Sequence, residues 1–311
     1  EHWSDIDPTI WIDDDGQAYM YWGNPHAYCV RLNEDMISTK GEIMQMDPIG
    51  DYQEGPWFWS RKNARGEKWY YLAYASTCCP EGIGYAMSKS PTGPWEHKGH
   101  IMDHTPRTRG NHPGIIDFKG KSYCFGLTYD IFRLETSRHA ERRCCMAAEM
   151  TYNADGTIQE LPYFQDCKLE QVGTFNPFRR VEAETMAWGY GLKTTRENPS
   201  GPWNPTLFVT DIDDGEYILV KGVDFGKGAK ELLVSCSAQM FGGTMEIRLD
   251  APDGWKAGSI DVPNTKFKYE TFRTALTKCS GVHDLYFVFK SNSMQKKNLF
   301  NFDWWEAKAC R

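Results

Sequence analysis

Two carboxylates and an imidazole stand at matching places in three successive segments of the chain. Asp7, Glu54 and His112 each come just before a short apolar, β-prone run, and each run is followed by a turn and a second β-prone run. Two such runs joined by a turn predict a β-hairpin. Carboxyl groups and imidazoles are the side chains that most often transfer protons in active sites, so these three residues are candidates for acid–base chemistry.

The three hairpins belong to a longer repeat. Each is followed by one or two further strand-like runs, which gives units of roughly 50 residues with four strands each, typical of β-propeller blades. Equivalent first-strand positions converge near the axis of a propeller. The repeat therefore predicts that Asp7, Glu54 and His112 surround one pocket.

The number of predicted blades has a consequence for the architecture. Residues 1–175 contain about three blades, and a closed propeller needs about four or more. We expect the remaining N-terminal blades to lie in a second chain or an upstream segment. The alternative is that residues 1–175 pack as a self-sufficient, inactive domain.

The second part of the chain has a different pattern. After a linker at 160–175, short β-prone runs separated by Gly, Asp and Asn turns recur about every 10–15 residues, which is typical of a β-sandwich of jelly-roll type. The prediction is an all-β chain with two domains, a partial propeller at 1–175 and a sandwich at 176–311.

Composition narrows the classes of function. The net charge of −7 argues against a nucleic-acid-binding protein, and no apolar run approaches the length of a membrane span. Aromatic residues make up 14% of the chain, which suits sugar-stacking surfaces, although core packing accounts for most of them. The ten cysteines include no CxxC pair, which argues against a structural zinc site. Buried free thiols are favoured, and disulfides fit if the protein is exported.

Several motifs resemble known carbohydrate-active families. The segments IDPTIWIDDDGQAYMYWGN, EGPWFWSR and NHPGIIDFKGKSY resemble glycoside hydrolase family 43, in particular its arabinofuranosidase and xylosidase members. The segments RRVEAETMAW, DIDDGEYI and NLFNFDWWEA resemble a family 6 carbohydrate-binding module. Together the two resemblances cover nearly the whole chain.

The first resemblance implies a five-bladed propeller with an inverting active site. Glu54 matches the general acid, and Asp7 matches the Asp that tunes and orients it. His112 matches an axial His that faces a central metal ion, usually calcium, and lies by the substrate. Arg143 falls where the family has a substrate-facing Arg, although a surface salt bridge is nearly as good an interpretation. The general-base Asp of the family lies upstream of residue 1.

The second resemblance implies a structural calcium ion and a sugar site in the sandwich. Glu182 and Glu184 alternate on one strand face, Asp303 comes from the last strand, and carboxylates suit a hard cation such as calcium. Asn298 matches the sugar-binding Asn of the module family. Phe267 falls near a position where the family stacks an aromatic ring on a sugar, usually Trp.

Other candidates have competing interpretations. Trp188 and Tyr190 could also bind sugar, but core packing is at least as good an explanation. The run at 13–15 resembles a metal-binding sequence, and a solvated turn is the better interpretation. Asp7 and Glu54 could be turn acids, and His112 a core histidine.

Together these observations predict a secreted or cell-surface inverting glycoside hydrolase. Its expected reaction is release of α-L-arabinofuranose, or β-xylose, from plant arabinoxylan, with an appended xylan-binding module. The alternative is a non-catalytic carbohydrate-binding protein, because the general-base Asp is absent from the sequence.

Overall fold

A computed structural model of the chain describes residues 4–46, 48–77, 79–106, 108, 111–128, 144–196 and 207–310. The chain forms two compact units, Glu1–Glu170 and Gln171–Arg311. The described residues contain strands and one short 3-10 helix, Phe164–Asp166, so the prediction of an all-β chain is confirmed. None of the described segments forms a helix long and apolar enough to cross a membrane.

The first unit contains three successive antiparallel sheets, each a meander in which sequence neighbours pair. The first sheet consists of β1 (Thr9–Ile12), β2 (Ala18–Trp22), β3 (Tyr28–Leu32) and β4 (Thr39–Gln45). The second consists of β5 (Tyr52–Lys62), β6 (Lys68–Ser76), β7 (Gly82–Ser88) and β8 (Glu96–Met102). The third, in its described part, consists of β9 (Gly114–Phe118), β10 (Lys121–Thr128) and β11 (Cys144–Met150).

Apolar side chains join the sheets face to face. Tyr21 of β2 stacks on Phe58 of β5 with ring centroids 4.3 Å apart, in the cluster between the first and second sheets. Tyr71 of β6 and Ile115 of β9 belong to the cluster between the second and third sheets. Alternation along the strands places these rings on the buried faces, and this packing fixes the ends of β5 and β9 where the candidate residues lie.

The turn at 13–16 also connects the first two sheets. The Nζ of Lys68 lies 2.5 Å from Asp13 Oδ1 and 2.8 Å from Asp14 Oδ2, and the Tyr70 hydroxyl donates to Asp13 Oδ2 at 2.7 Å. The side chain of Asp13 is only 11% exposed, whereas that of Asp14 is 83% exposed. The interpretation of this run as a wholly solvated turn is therefore wrong for Asp13, which anchors a cross-sheet contact.

We expect Asp13→Asn to destabilise the first unit by about 1.5–3 kcal/mol, because it removes hydrogen bonds to a charged group. Burial alone would raise the pKa of Asp13, but the hydrogen bonds from Lys68 and Tyr70 lower it overall. This contribution is therefore present above the ordinary Asp pKa of about 3.9 and is lost as the pH falls through the lowered value. Urea unfolding at pH 7 and pH 3 measures it. Asp14→Asn is the matched control, and an equal loss in both variants would contradict the assignment.

The second unit is a sandwich of two antiparallel sheets. One sheet has the order β14 (Lys193–Arg196), β15 (Leu207–Thr210), β22 (Asn301–Ala309), β17 (Ala229–Ser237) and β20 (Glu270–Ala275), and β12 (Val181–Glu182) also pairs with β22. The other has the order β13 (Trp188–Tyr190), β16 (Tyr217–Asp224), β21 (Val282–Lys290), β18 (Gly243–Leu249) and β19 (Trp255–Val262). The inward side chains form one core that includes Phe287, Phe302 and Trp305.

The boundary between the units lies before the one that the sequence pattern indicates. Phe175 forms a parallel bridge with Val223, and its backbone N–H donates to the Gly222 carbonyl at 2.8 Å. Residues 171–175 thus belong to the sandwich rather than to a linker or to the first unit.

Most cysteines with a described side chain have free thiols, as the sequence analysis favours: Cys29, Cys124, Cys145, Cys167, Cys236, Cys279 and Cys310. Cys79 is disulfide-bonded.

Candidate active site

The structure brings Asp7, Glu54 and His112 together. One ligand atom from each of them lies within 4.8 Å of the other two, and no other group of His, Cys, Asp or Glu in the described ranges has three ligand atoms as close. Asp7 precedes β1, Glu54 lies at the start of β5 and His112 precedes β9. The equivalent position in each of the three sheets therefore contributes one side chain to a common pocket.

Glu54 is held at both carboxylate oxygens. The Asn24 amide donates to Oε2 at 2.5 Å, and the imidazole Nε2 of His112 lies 3.1 Å from Oε1. Gln53 in turn donates to the Asn24 side chain at 3.4 Å. The Glu54 side chain is 20% exposed, so it reaches solvent from a fixed orientation. A carboxyl group held in this way can present a proton at a defined position.

Asp7 adds negative charge on the other side of the imidazole. Its Oδ2 lies 3.9 Å from His112 Nδ1, is buried and makes no hydrogen bond. The backbone of Asp7 has φ +58°, an unfavourable conformation for a residue with a Cβ. Such strain persists only where the surroundings enforce it, and it often marks functional sites.

Gly55 permits the close approach between Glu54 and His112. Its φ is +63°, and a Cβ at this position would lie 2.6 Å from His112 Nδ1. No larger residue fits without displacing the imidazole. In the sequence, Glu54-Gly55-Pro56 indicates only the approach to a strand, and nothing there signals this role of Gly55.

Tyr52 and Trp57 lie on β5, the same strand as Glu54. The Tyr52 hydroxyl donates to the Gly23 carbonyl at 2.8 Å, and burial, together with the charges of Asp7 and Glu54, raises the pKa of Tyr52. Tyr52 is therefore a neutral hydrogen-bond donor at any physiological pH. The indole of Trp57 donates to the Ile115 carbonyl at 3.0 Å and links β5 to β9.

The distance between the carboxylates of Asp7 and Glu54 limits the roles that this pair can have. An oxygen of Asp7 and one of Glu54 lie within 4.8 Å of each other, whereas inverting glycosidases separate acid and base by about 6.5–9.5 Å to admit a water molecule. The Asp7–Glu54 pair is too close for that arrangement.

Arg143, the expected substrate-facing Arg, lies outside the described residues. Asn24 was not identified from the sequence. Its signal is its position after β2 in the run Trp22-Gly23-Asn24, but the contact with Glu54 joins two different sheets.

The predicted calcium ligands of the sandwich, Glu182, Glu184 and Asp303, lie near one another, but their surroundings differ. Arg180 makes two bonds to Glu182, at 2.8 and 2.9 Å, and its Nη2 lies 3.9 Å from Asp303 Oδ2. Glu184 Oε2 is buried and makes no hydrogen bond. Burial, followed by the charges of Glu182 and Asp303, raises the pKa of Glu184. A buried carboxylate oxygen without a donor, next to two further carboxylates, fits a divalent cation.

The predicted sugar-binding residues lie on separate connections of the sandwich. Asn298 is exposed with φ +51° in the loop before β22, and its backbone N–H donates to Asp213 at 2.9 Å. Phe267 lies between β19 and β20, has φ +65° and is 64% exposed. Tyr190 stacks on Tyr217 with ring centroids 5.4 Å apart and is 48% exposed, so its ring is not packed in the core.

Two carboxylates and an imidazole meet at the ends of successive antiparallel sheets, and a two-sheet sandwich follows in the chain, which agrees with the carbohydrate-active protein that the sequence motifs predict. Comparison with known proteins makes this assignment specific. Residues 1–158 match glycosyl hydrolases family 43, and residues 182–309 match the carbohydrate binding module of family 6. The chain belongs to glycosyl hydrolases family 43 and carries a family 6 module.

Relatives and solved structures agree with this placement. The chain is 30% identical to an arabinoxylan arabinofuranohydrolase of Bacillus subtilis (strain 168) and 30% identical to one of Paenibacillus polymyxa, in both cases over 97% of its own length. It spans 63% and 50% of those two proteins. A crystal structure of a family 43 arabinoxylan arabinofuranohydrolase from Bacillus subtilis with cellotetraose superimposes with a TM-score of 0.82 at 29% identity, covering 98% of this chain and 67% of that one.

Proposed function

We propose that this chain supplies Glu54 as the general acid of an inverting active site. The complete site would release α-L-arabinofuranose, or β-xylose, from arabinoxylan. The observation that carries the proposal is Glu54, which is held at both oxygens and faces His112, with the carboxylate of Asp7 nearby. Glu54 protonates the leaving oxygen while a base on the opposite face activates water. The names of the two relatives favour arabinofuranose over xylose.

We also propose that further blades complete a five-bladed ring and that one of them contains the general-base Asp. The outer faces of the first and third sheets carry exposed apolar side chains: Ile10 and Ile12 are 44% and 56% exposed, and Ile116 and Phe118 are 51% and 50% exposed. Adjacent apolar residues of this size are normally covered by another element. Blades packed on both faces would place a carboxylate about 6.5–9.5 Å from Glu54.

Product analysis tests the proposed reaction. The complete enzyme is incubated with wheat arabinoxylan, and released sugars are separated by anion-exchange chromatography. Arabinose as the product supports arabinofuranosidase activity, and xylose supports xylosidase activity. Release of neither sugar, with retained binding to the polysaccharide, would support the non-catalytic alternative.

We infer that the substrate is plant cell-wall polysaccharide outside the cell.

The sandwich is proposed to bind xylan through Asn298 and Phe267. Asn298→Ala and Phe267→Ala should each weaken binding of xylohexaose at least about tenfold, because each removes a hydrogen bond or a stacking face at an exposed site. Isothermal titration of the full chain measures this. Trp255→Ala is the matched control, since Trp255 is also exposed, at 49%, but lies at the start of β19. Unchanged affinity in both test variants would rule out this site.

We propose that Glu182, Glu184 and Asp303 hold a calcium ion with nearby backbone carbonyls. A ligand that binds only the folded state stabilises it, by about 2.7 kcal/mol at a hundred times its Kd. Calcium should therefore raise the Tm of the sandwich by several degrees in wild type, and EDTA should reverse the rise. Glu184→Gln should abolish the response, and the exposed control Glu270→Gln should retain it. An EDTA-insensitive wild type would overturn the proposal.

A further inference from the structure

A second cluster of potential ligands lies away from the pocket, where the connection between β4 and β5 crosses β8. The Nε2 atoms of His97 and His100 lie 3.8 and 3.5 Å from the same oxygen, Oδ2 of Asp51. The two imidazole rings lie 5.9 Å apart in an edge-to-face arrangement. Both separations from Asp51 are too long for hydrogen bonds, and His100 Nε2 is buried without one.

Hydrogen bonding fixes which nitrogen of His97 carries the proton. The Tyr74 hydroxyl has one proton, which it donates to the Gly50 carbonyl at 2.7 Å. Its oxygen lies 2.8 Å from His97 Nδ1 and can only accept there, so Nδ1 bears the hydrogen. In the neutral ring, the lone pair of Nε2 then faces the Asp51 carboxylate.

His100 also directs its Nε2 toward Asp51, but no hydrogen bond fixes its protonated nitrogen. Its Nδ1 lies 3.8 Å from Asp103 Oδ1, an acceptor, while its Nε2 faces Asp51. Two imidazole nitrogens therefore lie near the same carboxylate oxygen, and neither makes a hydrogen bond to it. The lone pair of His97 Nε2 faces this carboxylate, which is unfavourable unless a cation lies between them.

We propose that Asp51, His97 and His100 form a binding site for a divalent transition-metal ion, with zinc as the representative. Two imidazoles and one carboxylate suit zinc or nickel rather than calcium. Zinc–ligand bonds of about 2.0–2.2 Å give ligand–ligand edges of about 3.3–3.5 Å in a tetrahedral site, close to the 3.5 Å between His100 and Asp51. Tyr74, whose hydroxyl lies 2.8 Å from His97 Nδ1, then acts as the kind of outer partner that commonly orients a metal-bound histidine.

Metal binding requires the three ligand atoms to move closer together. The three ligand atoms do not all lie within 4.8 Å of one another, since among the described residues only the active-site trio does so. The imidazoles therefore have to rotate toward each other. A bound ion would link Asp51, which directly precedes the strand of Glu54, to the outer strand β8.

Zinc titration of the untagged full chain, stripped with EDTA and followed by calorimetry, tests the site. We expect one zinc equivalent in wild type, with affinity reduced at least about tenfold in His100→Gln and His97→Gln and by about tenfold in Tyr74→Phe. Calcium should not compete. His283→Gln, which alters a histidine of the sandwich, should bind zinc as wild type does.

Asp7, Glu54 and His112 also present three close ligand atoms, and His112→Gln distinguishes zinc binding there from binding at Asp51, His97 and His100. Full zinc affinity in His112→Gln together with loss in His100→Gln supports the proposal. Loss of zinc binding in His112→Gln alone, equal affinity in His100→Gln and wild type, or no binding by wild type would each overturn it. Circular dichroism establishes that each variant is folded. His97→Gln and His100→Gln each remove one proposed ligand, so the two variants test the site independently.

Discussion

Replacing Glu54 by glutamine should lower kcat/KM of the complete enzyme on arabinoxylan by about 10²–10⁴-fold. The amide has the same shape and can still accept the hydrogen bond that Asn24 donates at 2.5 Å. It can also still face His112 Nε2, which lies 3.1 Å from Oε1. The pocket is therefore preserved while the transferable proton is lost, so the loss of rate measures proton donation alone.

The leaving group provides the internal control for this variant. An aryl glycoside with an acidic phenol needs little protonation, so its hydrolysis by Glu54→Gln should fall much less than that of arabinoxylan. Glu42→Gln, on the exposed strand β4, should behave as wild type with both substrates. Equal, mild losses on both substrates would show that Glu54 is not the general acid.

The repeat in the sequence was sufficient to predict the meeting of Asp7, Glu54 and His112. The reason is geometric: residues at the same place in successive, similarly folded units are brought together by the packing of the units. The sandwich was predictable from the regular spacing of its β-prone runs and turns, and in the structure β16 and β18 alternate buried and less buried side chains as strands of a sandwich do.

What the sequence does not reveal are contacts between residues that share no pattern. Asn24 reaches Glu54 from another sheet, and Lys68 reaches Asp13 across 55 positions. Neither partner is marked by periodicity, since each contact depends on how two sheets are stacked. The same holds for Asp51, which comes from a connection and meets two histidines of an edge strand.

Replacing Gly55 by alanine should disable the site without changing any ionisable group. Alanine meets two obstacles there, the positive φ of +63° and the imidazole nitrogen of His112 at 2.6 Å from the new Cβ. The first costs about 1–2 kcal/mol for an L-residue. The second forces His112 away from Glu54, and a displacement of about 1 Å at a reacting group can cost about 10²-fold in rate. We expect a fall in kcat of that order together with a lower Tm.

Gly66→Ala separates these two effects. Gly66 has a comparable φ of +79°, but a Cβ there would have no neighbour within 4 Å. This variant should therefore show the conformational cost in urea unfolding and retain wild-type kcat. The difference between the two variants isolates the contact with His112. If Gly55→Ala retains activity to the same extent as Gly66→Ala, then the position of His112 beside Glu54 does not matter for catalysis, and the assignment of the imidazole to the active site is wrong.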